Sequence, residues 1–149
     1  MGGVSHLITH PQGELLRLPE QRVVIWGRGM VEHEPSYHPL AGLPRPQGEA
    51  WHLALAHGFF TEDGERTYRS SPIYAREIRE SGWDYIALGH CHAFADVSQG
   101  AVTAYFSGAP SFLPGVGGAD GYAVLVRCEA GAGREVSVQR IDLRPLVQP

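Results

Sequence analysis

Cysteine is scarce in this sequence, and neither a long apolar run nor a secretory leader is seen in it. Cys91 and Cys128 are its two cysteines among 149 residues, so a disulfide-stapled fold is excluded and a reducing, cytoplasmic compartment is expected. No apolar stretch approaches the roughly 20 residues of a membrane-spanning helix. The sequence does not open with a basic segment followed by an apolar one, so we predict neither a secretory signal nor a membrane partner.

Strong charge of one sign and a phosphate-cradling loop are also lacking. The formal net charge of -4 gives no general attraction to nucleic acid. The glycine-rich run from Pro114 to Gly121 has no lysine where a P-loop requires one, so it is predicted to be an ordinary loop. At 149 residues, 43% of them hydrophobic, the chain fits one domain or one large piece of a domain.

Glycine and proline are abundant and favour short strands and turns over long helices. The segment from Gly29 to Gly48 carries several prolines and is predicted to be a long irregular connection. Apolar, β-branched runs predict strands at Arg22–Trp26, Trp51–Ala56, Trp83–Leu88, Ala101–Phe106, Tyr122–Arg127 and Glu135–Ile141. The expected class is therefore α/β in the broad sense, of the strand-rich α+β kind.

One helix is predicted, from about Pro72 to Glu80. Ser71 precedes it as an N-cap, and Pro72 occupies the first helical position, where its missing N–H costs nothing. Gly82 provides the C-terminal stop.

Three histidines follow the ends of predicted strands, where a sheet presents side chains to a ligand. They are His57, His90 and His92. In an extended segment the side chains of His90 and His92 point the same way, so they can reach one metal, or two metals roughly 3.5–4 Å apart. Cys91 would then point away from both. Gly89 lets the backbone turn sharply or lets a substrate approach closely. Imidazole suits Zn, Mn, Fe or Ni, so the residues predict a divalent metal without naming it.

The other histidines are predicted to lie outside this site. His33 and His38 could bind a metal adventitiously, but the favoured expectation is that they are exposed residues of the proline-rich connection. His6 and His10 lie in the N-terminal residues 1–21, which are expected to be mobile. His52 is expected to be structural or solvent-facing.

The order of these segments resembles the last two motifs of calcineurin-like metallophosphoesterases. An apolar strand leads into His57–Gly58, and a helix then precedes the run Asp84–His92 (DYIALGHCH). This run is most similar to the DNA-repair exonuclease branch of that family. The segments Val24–Gly27, Phe106–Pro110 and Gly121–Val126 are similar to that branch as well, so the resemblance covers nearly the whole chain.

The resemblance implies a two-metal hydrolase of phosphate esters. The branch resemblance favours DNA phosphodiesters as substrate and leaves nucleotides and phosphoproteins open. The fold of that family is a four-layer β-sandwich flanked by helices. By resemblance, residues 1–149 would form the C-terminal part of one such domain. By resemblance, His57 and His90 would bind one metal, and His92 would bind the other.

The carboxylate and amide motifs of that family, Asp-x-His, Gly-Asp-x-x-Asp and Gly-Asn-His, are not found in this sequence. Two divalent ions repel strongly unless a carboxylate or hydroxide lies between them, so we expect little or no activity from the chain alone. A half-sandwich also exposes an apolar sheet face. The expected partner is therefore the missing N-terminal half or a second copy of the chain.

Two other functions fit the same residues. His57, His90 and His92 can form a mononuclear site with a position open for water, which a stoichiometry of one metal per chain would favour. The second alternative is a binding or assembly module that keeps the histidines but lacks catalysis. The missing carboxylate motifs favour it.

Overall fold

A computed structural model describes residues 5–65, 71–110 and 121–143 of the chain. The described part is a strand-rich α+β structure with one short helix and a mixed sheet, which confirms the expected class. The strands are β1 Glu14–Leu18, β2 Val23–Gly27, β3 Trp51–His57, β4 Phe59–Thr61, β5 Pro72–Tyr74, β6 Tyr85–Gly89, β7 Phe94–Asp96, β8 Thr103–Ser107, β9 Tyr122–Ala130 and β10 Arg134–Asp142, and the helix is α1 Ala75–Ser81.

The main sheet has six strands in the order β1-β2-β3-β6-β8-β7. Its four central strands run parallel, and β1 and β7 are antiparallel edge strands. His57 pairs in register with Gly89, so the carboxyl ends of β3 and β6 lie side by side. In parallel sheets, ligands bind at this end of the strands.

The hydrophobic core lies against one face of the main sheet. Trp26, Ala54, Ile86 and Phe106 point into it from the four parallel strands, because alternate residues of a strand share a face. Ile78 of α1, Ile73 of β5 and Trp83 pack against them from the other side.

The opposite face of the sheet, which we call the open face, carries Ile25, Leu53, Leu55 and Ala87. Ile25, Leu53 and Ala87 are half-buried, and Leu55, on a central strand, is 41% exposed. Parallel strands are normally covered on both faces, so an exposed leucine at this place is unusual.

The β9–β10 hairpin is fastened to the main sheet by an ion pair at the amino end of β6. The Arg134 guanidinium donates to both carboxylate oxygens of Asp84, at 3.1 and 2.6 Å, and lies 4.0 Å from the centre of the Trp51 ring. Asp84 also accepts a 2.8 Å hydrogen bond from the backbone N–H of His52. The aspartate of the DYIALGHCH run is therefore structural, at the opposite end of β6 from His90.

The helix begins later than the sequence predicts, and the assignment of Ser71 as its N-cap is wrong. Pro72–Tyr74 pairs with β4 as strand β5, and α1 starts at Ala75. Ser71 has a φ of 54°, in the left-handed region, whereas an N-cap residue has an extended backbone. Glu77 accepts a hydrogen bond from the Tyr74 N–H at 2.8 Å, which caps the first turn. The predicted stop at Gly82 is confirmed by its left-handed φ of 68°.

The six predicted strands are found, with boundaries that differ by at most three residues, and the predicted irregular connection contains neither helix nor strand. The short strands β4, β5 and β7 were not predicted, nor was β1, which lies within residues 1–21. Residues 114–120 of the predicted glycine-rich loop lie outside the described residues. Within the described part, no helix has the length and apolar character needed to cross a bilayer.

Candidate metal centre

Three imidazoles meet at the carboxyl end of the parallel strands. Nitrogen atoms of His33, His57 and His90, one from each ring, all lie within 4.8 Å of one another. The ring centres of His57 and His90 are 5.4 Å apart, and those of His33 and His90 are 5.7 Å apart. His33 and His57 are exposed and His90 is half-buried, so the cluster is accessible to an ion.

The His57 side chain rests against the backbone of the neighbouring strand. A Cβ atom at residue 89 would lie 2.9 Å from its Nδ1, closer than carbon and nitrogen normally approach. The Gly58 N–H donates to the Gly89 carbonyl at 3.1 Å and extends the β3–β6 pairing past His57. Gly89 therefore leaves room for a close approach by the His57 ring; the predicted approach of a substrate at this glycine stays a prediction.

The sharp turn after β6 occurs at His90. This residue has a φ of 111°, a conformation that costs a non-glycine residue on the order of 1–3 kcal/mol. The turn breaks the extended geometry predicted for His90 and His92, so alternation no longer sends their side chains the same way. Cys91 packs against the hydrophobic core.

His33 comes from the long connection between β2 and β3, where the sequence predicted an exposed histidine without a site. The prediction of exposure is confirmed, and His33 also lies beside His57 and His90 in a group that could hold a metal ion, which was the less favoured of the two interpretations of this residue. The Ser71 N–H donates to the Glu34 carbonyl at 2.8 Å, and its Oγ lies 3.5 Å from the Glu32 carbonyl. The Ser71 carbonyl in turn accepts from the N–H of Phe59, at the start of β4. Ser71 therefore ties both neighbours of His33 to the strand that follows His57.

His92 does not belong to the group of three, although the sequence predicted it as a ligand beside His57 and His90. It is exposed, and its backbone carbonyl accepts a 3.1 Å hydrogen bond from Ala109. Gly108, with a φ of 78°, brings the chain so close that a Cβ there would lie 3.0 Å from the His92 carbonyl oxygen. The Ser-Gly-Ala-Pro run thus fixes the backbone at His92. Its assignment as a metal ligand stays a prediction.

The electrostatics of the cluster favour the neutral imidazole that metals bind. Desolvation lowers the pKa of His57 below its usual 6.5, and the neighbouring His90, His33 and His92 lower it further by like-charge repulsion. At neutral pH His57 is therefore deprotonated, and protons compete little with a metal for its nitrogen.

Two further histidines have contacts of another kind. His52 is 5% exposed, lies edge-on to Trp83 and contacts the backbone of Gln47, which confirms it as structural. His38 stacks on Tyr74 and lies 3.8 Å from a carboxylate oxygen of Glu77. It is not a member of the cluster, so it offers a matched control for mutations there.

A depression of about 400 Å³ borders His57 on the open face. Its wall includes Leu55, Ala87, Arg28, Ile8 and Ser107. It is large enough for a small ligand group beside the His57 imidazole, and its floor is largely apolar.

No protein-family model matches the chain, and no curated protein matches its sequence.

Proposed function

We propose that this chain is the histidine-bearing part of a two-metal phosphoesterase of the calcineurin-like class, within a four-layer sandwich. One observation carries the proposal. His57 and His90, which the resemblance assigns to the same metal, end adjacent parallel strands with their ring centres 5.4 Å apart. Separated by 32 residues in sequence, they meet at the edge of the sheet where ligands bind.

The position of His92 is consistent with a division of ligands between two metals. It lies outside the group formed by His33, His57 and His90, yet it is close enough to influence the pKa of His57. Under this proposal His57 and His90 hold one ion and His92 contributes to the other. The bridging carboxylate comes from residues outside this sequence.

The open face supports a sandwich with a further layer. Leu55 and Leu53 lie on a central parallel strand, and such strands read as continuous apolar runs because both of their faces are covered. Here the core covers one face, and Leu55 remains 41% exposed on the other. In the four-layer fold, a second sheet of the same domain covers this face.

The residues fit such a centre because neutral imidazoles bind divalent transition metals and can be oriented from rigid strand ends. Bound metals of this class supply a hydroxide nucleophile and neutralise phosphate oxygens. The chain's own contribution is to hold His57 against Gly89 and to present His90 from a turn with a φ of 111°. The substrate class is a phosphate ester, with DNA favoured by the branch resemblance.

The test compares the chain alone with the chain joined to, or mixed with, a polypeptide carrying the Asp-x-His, Gly-Asp-x-x-Asp and Gly-Asn-His motifs. Hydrolysis of bis-p-nitrophenyl phosphate and of linear DNA is measured with added Mn²⁺. We expect no turnover by the chain alone and metal-dependent turnover by the completed protein. His57→Ala and His90→Ala should abolish that turnover, and His38→Ala should preserve it.

Rapid turnover by the pure chain would contradict the argument from missing ligands. A completed protein that binds metal without hydrolysing either substrate would contradict the phosphoesterase proposal and favour a non-catalytic binding module.

A further inference from the structure

We propose that His33, His57 and His90 form a site for one zinc-class divalent ion, which this chain binds by itself. His33 is absent from the ligand set that the family resemblance implies, and the mononuclear trio inferred from sequence contained His92 in its place. The inference does not rest on the two-metal phosphoesterase, because all three ligands belong to the described residues of one chain.

The spacing of the nitrogens is close to what a single ion requires. In a tetrahedral site with Zn–N bonds of about 2.05 Å, ligand atoms are about 3.4 Å apart. The three nitrogens already lie within 4.8 Å of one another, so they need to approach by about 1.5 Å at most. His33 is exposed and His90 is half-buried, so rotation of these two side chains can provide this movement while His57 stays against Gly89.

The donor set selects the class of metal. Three neutral imidazoles favour Zn²⁺, Co²⁺, Ni²⁺ or Cu²⁺ over Mg²⁺ and Ca²⁺, which prefer oxygen ligands. Three protein ligands leave a fourth position open, as in catalytic rather than structural zinc sites. Because no carboxylate belongs to the group, a bound ion would keep its full positive charge and attract an anion such as phosphate to that position.

The connection that carries His33 is held in place by the fold. Ser71 is fully buried, and its N–H bonds the Glu34 carbonyl at 2.8 Å. The Tyr37 hydroxyl bonds the Gly29 carbonyl at 2.7 Å on the other side of His33. These bonds fix the backbone on both sides, so binding an ion orders little more than the side chain.

The inference is tested by titrating the metal-free chain with Co²⁺ and recording the visible absorption of four-coordinate cobalt. We expect saturation at one ion per chain, with Zn²⁺ displacing it. His33→Ala, His57→Ala and His90→Ala should each weaken binding by more than about 100-fold, since even changes to outer-shell partners cost up to that much. The matched control His38→Ala should leave the dissociation constant unchanged, and His92→Ala should weaken binding less than any of these three variants. Far-UV circular dichroism of each metal-free variant checks that it folds.

Three results would overturn the inference: no cobalt binding by the folded chain, full affinity in folded His33→Ala, or a loss in His92→Ala as large as that in His57→Ala. Inorganic phosphate should shift the absorption of the cobalt-loaded chain, and an unchanged spectrum would contradict the open position. The two-metal phosphoesterase proposal is tested separately, by hydrolysis in the completed protein. That result does not depend on which metal the chain binds alone.

Discussion

Replacing Gly89 by alanine should weaken metal binding while leaving the fold intact. The added Cβ would lie 2.9 Å from Nδ1 of His57, whereas ordinary contacts of this kind are 3.4–4 Å. The His57 ring must therefore retreat by at least about half an ångström. The three atoms closest to the new Cβ all belong to the exposed His57 ring, so this ring can move while the core stays in place.

The expected magnitudes for metal binding and for stability differ. Gly89 has no left-handed φ, so alanine fits its backbone and reduces the entropy of the unfolded chain, a gain of about 0.4–1 kcal/mol. The displaced ring offsets part of this gain, and the free energy of unfolding should change by less than about 1 kcal/mol. Misplacing one of three ligands should weaken metal binding about 10–100-fold, or about 1.4–2.8 kcal/mol.

Cobalt titration and urea unfolding of the Gly89→Ala variant measure these two quantities. Gly133→Ala in the hairpin loop is the matched control, because nothing lies within 4 Å of its Cβ position and its φ is not left-handed. Unchanged metal affinity in Gly89→Ala would refute the argument that His57 binds from its place against Gly89. A large loss of stability would show instead that the glycine serves the backbone.

Two further predictions concern stability. Asp84→Asn removes the charge that holds Arg134 and weakens the acceptor for the buried His52 N–H, so urea unfolding should show a loss of about 2 kcal/mol. The exposed Glu49→Gln should cost less than about 0.5 kcal/mol, and an equal loss in both variants would contradict the role given to Asp84. Burial raises the pKa of Tyr85 to about 12. An unfolded tyrosine titrates near pH 10, so stability that is complete below pH 10 should fall by up to about 2 kcal/mol towards pH 12. Unfolding measured on both sides of pH 10 should show this fall in the natural protein and a smaller one in Tyr85→Phe.

The central strands were predictable because their sequences are predominantly apolar, with one polar residue, His52 or Asp84, near the start of each run. Trp51–Ala56 and Trp83–Leu88 each end at a glycine or a histidine–glycine pair, and β3 and β6 occupy nearly those residues. The start of the helix was not predictable in the same way. Pro72 suits the first position of a helix and also the first residue of a strand, and pairing with Phe59–Thr61 decides for the strand.

Two of the three histidines of the candidate site were predictable from the sequence, and the third was not. His57 and His90 lie at the carboxyl ends of apolar strands. They meet because these two strands are neighbours in a parallel sheet, where the carboxyl ends of the strands lie at the same edge. His33 carries no such local signal. Its position depends on hydrogen bonds from Ser71, 38 residues further along the chain, which was itself misassigned as a helix cap. Residues placed by long-range backbone bonds in irregular segments leave no periodic trace in the sequence.

The open face and the metal centre are parts of one surface. Leu55 and His57 lie two residues apart on β3, so their side chains point to the same side of the sheet. Any layer that covers Leu55 must therefore pass beside the imidazole of His57, and the depression of about 400 Å³ between them would receive its side chains. Burial of about 40% of a leucine surface favours that docking, and the apolar neighbours Leu53 and Ala87 add to it. If the covering layer bears carboxylates near its rim, the same event that buries the apolar face would bring oxygen ligands to a metal already held by histidines.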